Sequence, residues 1–104
     1  MQSTSMVARE MAAPDTLGLD TRAVVRKSAI DLLEAMPEGA GRLIVDLSQT
    51  RHVDSAGLGA LMLIQRRAAE RRQIVVLRYP SDELRFLLAI TKMKELFEIE
   101  PEIA

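Results

Sequence analysis

The stretch that decides the fold is LIVDLSQTRHVDSAGLGAL, residues 43–61. Four of its first five residues are apolar, a pattern typical of a strand that is covered on both faces. A short polar connection follows, and Asp54 and Ser55 then open a helix that runs toward Arg72. Ser55 is therefore predicted to lie where a strand ends and a helix begins. The unpaired N–H groups and the positive end of the helix dipole at such a position would accommodate a phosphate on Ser55.

Strands and helices are predicted to alternate on both sides of this stretch. Upstream, Asp20-Thr21 is a helix-start signal, and apolar residues recur at helical spacing over residues 25–36. Downstream, residues 74–77 form a second predicted strand, which completes a right-handed parallel crossover unit. Ser81 is a predicted cap for a third helix, and residues 97–99 are a predicted edge strand. The class is therefore α/β, with helices packed on a small mixed sheet.

Composition excludes several classes of function. The chain has 104 residues, enough for one small domain with one core. Its net charge of −1 gives no reason to expect a nucleic-acid or membrane-surface partner. There is no cysteine, and His52 is the only histidine, so disulfides, thiolate nucleophiles and a histidine-rich metal site are excluded. Apolar runs are too short for a membrane span, and no signal peptide is recognisable, so we expect a cytoplasmic protein without cofactor or metal.

The N-terminal segment, residues 1–19, is the least regular part of the sequence. Residues 5–12 fit a strand and a helix about equally well, because neither period dominates. Pro14-Asp15 indicates a turn, and residues 16–19 a short strand. The segment has room for a short strand hairpin at most.

The hexamer Asp54-Ser-Ala-Gly-Leu-Gly59, placed after the strand Leu43-Ile-Val-Asp-Leu-Ser48, resembles the signature of the STAS domain family. Within that family it is most similar to the bacterial anti-sigma factor antagonists. Gly18-Leu-Asp-Thr21 resembles the family's Gly-x-Leu-Asp, and residues 87–97 resemble the family's C-terminal pattern. In that pattern Lys92 stands where the family usually has glycine, so Lys92 would be strained if the position requires a positive φ.

The resemblance covers the chain from about Asp20 to its end. It implies a single STAS-like domain over residues 1–104, with residues 1–19 atypical or shortened. The implied fold is a sheet of four to five strands with helices mainly on one face.

In the antagonists, the serine directly after the motif aspartate is phosphorylated by a partner kinase, and that position here is Ser55. The resemblance implies a non-enzymatic binding module that sequesters an anti-sigma factor, itself a serine kinase, and that phosphorylation of Ser55 inactivates. A serine phosphatase would restore binding, and any ATP would belong to the kinase. The partner-binding residues expected on this basis are Asp20, Asp54, Ser55, Ala56, Gly57, Leu58, Gly59 and Leu63.

The helix after Ser55 has a wider apolar sector than one contact with a sheet requires. The inward stripe is predicted from spacing to be Leu58, Leu61, Met62 and Gln65. The flank is predicted to be Ala60, Leu63 and Ile64, and Leu63 either docks a partner or packs under the C-terminal segment. An exposed apolar flank beside a regulated serine is the anatomy of a docking surface.

Other interpretations of the same residues stay open. The hexamer is also compatible with a plain capped helix start, in which two glycines allow tight packing of helix and strand. Asp20 fits a plain N-cap as well as a partner contact. A STAS subunit of a phospholipid-transport complex or of a signalling scaffold would use the same helix as a constitutive contact. A small enzyme is a third possibility, but a serine nucleophile requires a base, and only His52 is near in sequence.

Overall fold

The computed structural model describes residues 7–101, and strands and helices alternate along this part of the chain. The elements are β1 (Val7–Ala12), β2 (Thr16–Leu17), α1 (Arg22–Ala35), β3 (Gly41–Asp46), β4 (His52–Val53), α2 (Ser55–Glu70), β5 (Ile74–Arg78), α3 (Asp82–Ile90), a short 3-10 helix (Lys94–Leu96) and β6 (Glu98–Glu100). In residues 7–101, the helices are too short or too polar to cross a membrane.

The helices begin and end largely where their sequence signals lie. Helix α1 buries Val25, Ala29 and Leu33, which recur every four residues on one face, and the chain leaves the helix just before Pro37. The predicted cap of α3 is confirmed, because the Ser81 hydroxyl accepts the Leu84 N–H at 3.1 Å. After α3, Lys92 has a φ of 60°, so a lysine occupies the left-handed conformation that glycine adopts more easily.

Four strands form the main sheet in the order β1-β3-β5-β6, and every neighbouring pair is parallel. The predicted α/β class, the four strands and the edge position of β6 are thus confirmed. The mixed sheet is corrected over residues 7–101, because helices cross over between β1, β3 and β5 and return the chain to the same end each time.

The predicted N-terminal hairpin is wrong for the strands that the structure describes. Strand β1 pairs with β3, whereas β2 pairs in parallel with β4 in a separate two-stranded sheet. The reason is burial: Met11 of β1 packs against the main core, whereas Leu17 of β2 is fully buried beside α2. Residues 1–6, which include the start of the ambiguous segment, lie outside the described residues.

One face of the main sheet carries the core. Leu43 and Val45 of β3 and Leu77 of β5 are fully buried and pack in one cluster with side chains of the helices. The opposite face is crossed by ion pairs, with Arg42 and Glu98 2.6 Å apart and Arg78 within 3.3 Å of Glu10 and 3.1 Å of Glu100. The predicted placement of the helices mainly on one face is therefore confirmed.

The buried face of α2 differs from the predicted one. Ala60, Leu61 and Ile64 face the core, together with Gly57 and Ala68. The predicted inward residues Leu58, Met62 and Gln65 are only half-buried. The centre of the helix's buried face is thus rotated by about one residue, roughly 100°, from the predicted stripe. Helix α1 packs beside α2 and covers part of its wide apolar sector. The spacing of apolar residues alone did not show which part of that sector faces the core.

Candidate functional site at Ser55

Ser55 is the first residue of α2 and is exposed to solvent. The two-residue strand β4 ends one residue before the N-cap of α2, and β2 pairs with β4 so that Leu17 lies opposite Val53. The backbone N–H of Asp54 donates to the Leu17 carbonyl at 3.2 Å, which ties the start of α2 to β2. The prediction that Ser55 lies where a strand gives way to a helix is confirmed.

Asp54 is the N-cap of α2. Its carboxylate accepts the Gly57 N–H at 2.9 Å and, from the neighbouring segment, the Leu19 N–H at 3.2 Å. The pKa of Asp54 is lowered, chiefly by the Gly57 N–H, with smaller contributions from the N–H groups of Leu19 and Ala56 and from the charge of Arg22. Asp54 is therefore a carboxylate that caps α2 and ties its first turn to the segment between β2 and α1.

Only one of the two motif glycines is required by packing. A Cβ on Gly57 would overlap the carbonyl group of Leu17, so no other residue fits without moving β2. A Cβ on Gly59 would meet nothing within 4 Å, which corrects the expectation that both glycines serve close packing. A second close approach was not predicted: a Cβ on Gly18 would lie 2.5 Å from Oδ2 of Asp54.

A depression of about 350 Å³ opens beside Ser55, between α1 and α2. Helix α1 contributes the two cationic side chains of Arg22 and Arg26 to its lining, and α2 contributes the rest. The lining residues are Arg22, Arg26, Ser55, Ala56, Gly59, Ala60, Met62 and Leu63. The site thus combines an exposed hydroxyl, an apolar wall and two guanidinium groups.

The structure brings some of the predicted binding residues to this depression and not others. Ser55, Ala56, Gly59 and Leu63 line it, and Leu63 is 41% exposed. Gly57 is buried and Leu58 is half-buried against the core, so neither offers a free side chain.

Asp20 lines a different depression, on the other side of α1, together with Val24 and Ser28. It does not cap α1 with its side chain, and neither does Thr21. The Thr21 hydroxyl instead donates to the Thr16 carbonyl at 2.7 Å, which fastens the start of α1 to β2.

Sequence reasoning missed Leu19, Arg22 and Arg26. Leu19 is 64% exposed, and its backbone is bonded to Asp54, so it lies beside the motif. The spacing of Arg22 and Arg26 by four residues places them on one face of α1. That signal was available in the sequence, but it did not show that this face meets the start of α2.

In residues 7–101, the Ser55 hydroxyl makes no hydrogen bond to His52, whose side chain is exposed on β4. In the same residues, no group of three or more His, Asp or Glu side chains is arranged to hold a metal ion.

A family model described as "Mlab, STAS domain" matches residues 15–98. The chain belongs to the STAS family. A curated relative, a STAS-domain containing protein of Pseudomonas aeruginosa, is 36% identical over 58 residues. That match covers 56% of this chain and 57% of the relative, so the chain spans little more than half of the relative's length.

Solved structures resemble this STAS domain over most of its length. A proposed anti-sigma factor antagonist of Thermotoga maritima has a TM-score of 0.77 at 19% identity, over 95% of this chain and 85% of that one. SpoIIAA, an anti-sigma factor antagonist in its unphosphorylated form, has a TM-score of 0.67 at 14% identity, over 98% and 86%. A sulfate transporter family protein of Wolinella succinogenes has a TM-score of 0.62 at 19% identity, over 96% and 80%. At these identities the likeness establishes a common fold.

Proposed function

We propose that this STAS domain is an anti-sigma factor antagonist, a protein-binding module that phosphorylation of Ser55 switches off. The observation that carries the proposal is the exposed position of Ser55 at the start of α2, next to a depression with apolar and cationic walls. The partner would be an anti-sigma factor that is also a serine kinase, and a serine phosphatase would reverse the modification.

The surface around Ser55 has the features of a docking site. Leu19 and Leu63 expose apolar side chains near the motif, and Arg22 and Arg26 add positive charge to the depression. Interfaces of this kind combine an apolar centre with a polar surround. The backbone beneath is held by the Asp54 cap and by the close contact of Gly57 with β2, so a partner would meet a preformed surface.

Phosphorylation would change this surface in charge and in volume. A phosphate adds about 1.5 to 2 negative charges at neutral pH. A partner shaped around a neutral hydroxyl would have to bury that charge with no cation of its own opposite it, which costs several kcal/mol, enough to switch binding off.

The experiment compares capture of the cognate kinase and anti-sigma factor by the wild-type chain and by three variants. We expect Ser55→Asp to lose most of the binding and Ser55→Ala to keep much of it while no longer accepting phosphate. Ser28→Asp is the matched control, since Ser28 is exposed on α1 but lines the other depression. Mass spectrometry after incubation with the kinase locates the phosphate, and modification of Ser28, Ser48 or Ser81 instead of Ser55 would contradict the proposal.

A second candidate is a STAS subunit of a phospholipid-transport complex or of a signalling scaffold, in which the same face makes a constitutive contact. The description of the matching family model and the likeness to a sulfate transporter family protein favour it. The same experiment separates the two, because equal capture of one stable partner by the wild-type chain and by Ser55→Asp would support the constitutive contact.

A further inference from the structure

Arg22 and Arg26 are two cations on one face of α1 that line the same depression as Ser55. Neither has a carboxylate within ion-pair distance in the described residues 7–101. Other cations of the same two helices do: Lys27 lies 2.9 Å from Asp31, and Arg67 lies 2.7 Å from Glu34. Within residues 7–101, no ion pair therefore neutralises the positive charge at this depression, and Asp54 is the carboxylate whose pKa the charge of Arg22 affects.

The charge of Arg22 already acts on the motif. It contributes to the lowered pKa of Asp54, the residue directly before Ser55. The Asp54 carboxylate is held in place, because one of its oxygens accepts the Gly57 N–H and the other accepts the Leu19 N–H. An anion on Ser55 would be repelled by the Asp54 carboxylate and attracted by the arginines, so both charges direct it into the depression.

We propose that Arg22 and Arg26 form an anion site that holds the phosphoryl group of Ser55. This inference rests on the phosphorylation proposed above and adds how the phosphorylated form is arranged. The guanidinium group presents paired N–H donors whose geometry matches phosphate oxygens. A phosphate held there would join α2 to α1 and would occupy the space in front of Met62 and Leu63. The modification would thus close the docking depression by volume, in addition to changing its charge.

The test uses the full chain with phosphoserine incorporated at position 55 during translation, so that no kinase is needed. The second ionisation of the phosphate is followed by ³¹P NMR as a function of pH. The phosphoprotein with both arginines is compared with the Arg22→Gln/Arg26→Gln double variant. Glutamine keeps a similar length and helix propensity without the charge. The matched control is Arg66→Gln, which removes one exposed arginine of α2 that does not line the depression.

Free phosphoserine has a second pKa of about 6. With both arginines present, we expect this pKa to lie roughly 0.5 to 1 unit below that of the double variant, since nearby cations favour the dianion and solvent screens part of the effect. The Asp54 carboxylate favours the monoanion, but it is present in all three proteins and does not affect the difference. Arg66→Gln should behave like the parent phosphoprotein. Equal pKa values in all three proteins, or the same change in the double variant and in Arg66→Gln, would overturn the anion site.

Circular dichroism verifies that the double variant is folded. If it is not, Arg22→Gln alone, at an exposed position, replaces it in the same comparison. The outcome is independent of partner binding. If the phosphate pKa shifts as expected but Ser55→Asp does not change partner capture, the proposed switch is refuted and the anion site stands. If Ser55→Asp abolishes capture but the phosphate pKa is the same with and without the arginines, the anion site is refuted and the switch stands.

Discussion

The two motif glycines provide the sharpest test of how the site is built. In Gly57→Ala the new Cβ would overlap the Leu17 carbonyl oxygen and lie 2.6 Å from its carbonyl carbon, closer than the 3.0 Å that Cβ atoms in proteins respect. The obstacle is backbone, so it cannot be relieved by rotating a side chain, and β2 has to move away from α2. That movement would also strain the bond from the Asp54 N–H to Leu17.

Overpacking of this kind typically destabilises a protein by about 1–3 kcal/mol. The better helix propensity of alanine offsets up to about 1 kcal/mol. Subtracting the full offset, we expect a net loss of up to about 2 kcal/mol, which for a domain of about 100 residues lowers Tm by up to about 16 °C. Gly59→Ala is the matched control, because its Cβ meets open space and only the gain in propensity remains. It should raise stability by about 0.5–1 kcal/mol.

Urea and thermal unfolding followed by circular dichroism measure both variants against the wild type. We expect Gly57→Ala to lower the free energy of unfolding and Gly59→Ala to raise it, although the two positions lie only two residues apart on one helix. A Gly57→Ala protein as stable as Gly59→Ala would show that β2 yields to α2 without loss. The close packing that we infer around Ser55 would then be refuted.

Two further variants test the cap and the docking wall. Asp54→Asn should lower the free energy of unfolding above about pH 4. In the folded state the pKa of Asp54 lies below its ordinary value of 3.8. The ionised carboxylate therefore stabilises the fold above pH 3.8, and this stabilisation is lost as the pH falls through the folded-state pKa. Urea midpoints between pH 2 and 7 should show a smaller acid-side decline for Asn than for Asp, and parallel curves would contradict the role of Asp54 as a charged cap. Leu63→Asp should stay folded, since Leu63 is 41% exposed, but should bind the partner at least tenfold more weakly, corresponding to about 1.4 kcal/mol. Circular dichroism checks that the variant is folded, and a pull-down measures partner binding. Ala69→Asp is the control, because it introduces a carboxylate at another exposed position of α2. If Leu63→Asp captures as much partner as the wild type, Leu63 does not belong to the docking surface.

Local signals in the sequence determined the elements that carry the site. The apolar strand at residues 43–47 and the serine at a helix start were predictable because strand propensity, capping and helical period act over a few residues. For Lys92 the family pattern only raised the question of a positive φ, and the structure answers it with a φ of 60°. For Leu63 the sequence left two alternatives, a docking residue or one packed under the C-terminal segment, and its 41% exposure comes from the structure.

Tertiary structure alone decided how these elements meet. Whether β2 pairs with β1 or with β4 depends on where Leu17 can be buried, and two-residue strands carry no local information on their partners. The choice of Ile64 rather than Met62 as a core residue depended on where α1 lies, because both are apolar and the period permits either. Arg22 lines the same depression as Ser55, which lies 33 positions later in the sequence, because α1, β2 and α2 pack together in a way that no short-range pattern encodes. The sequence therefore determined where the serine lies on its helix, and packing between distant segments determined which charges and apolar side chains surround it.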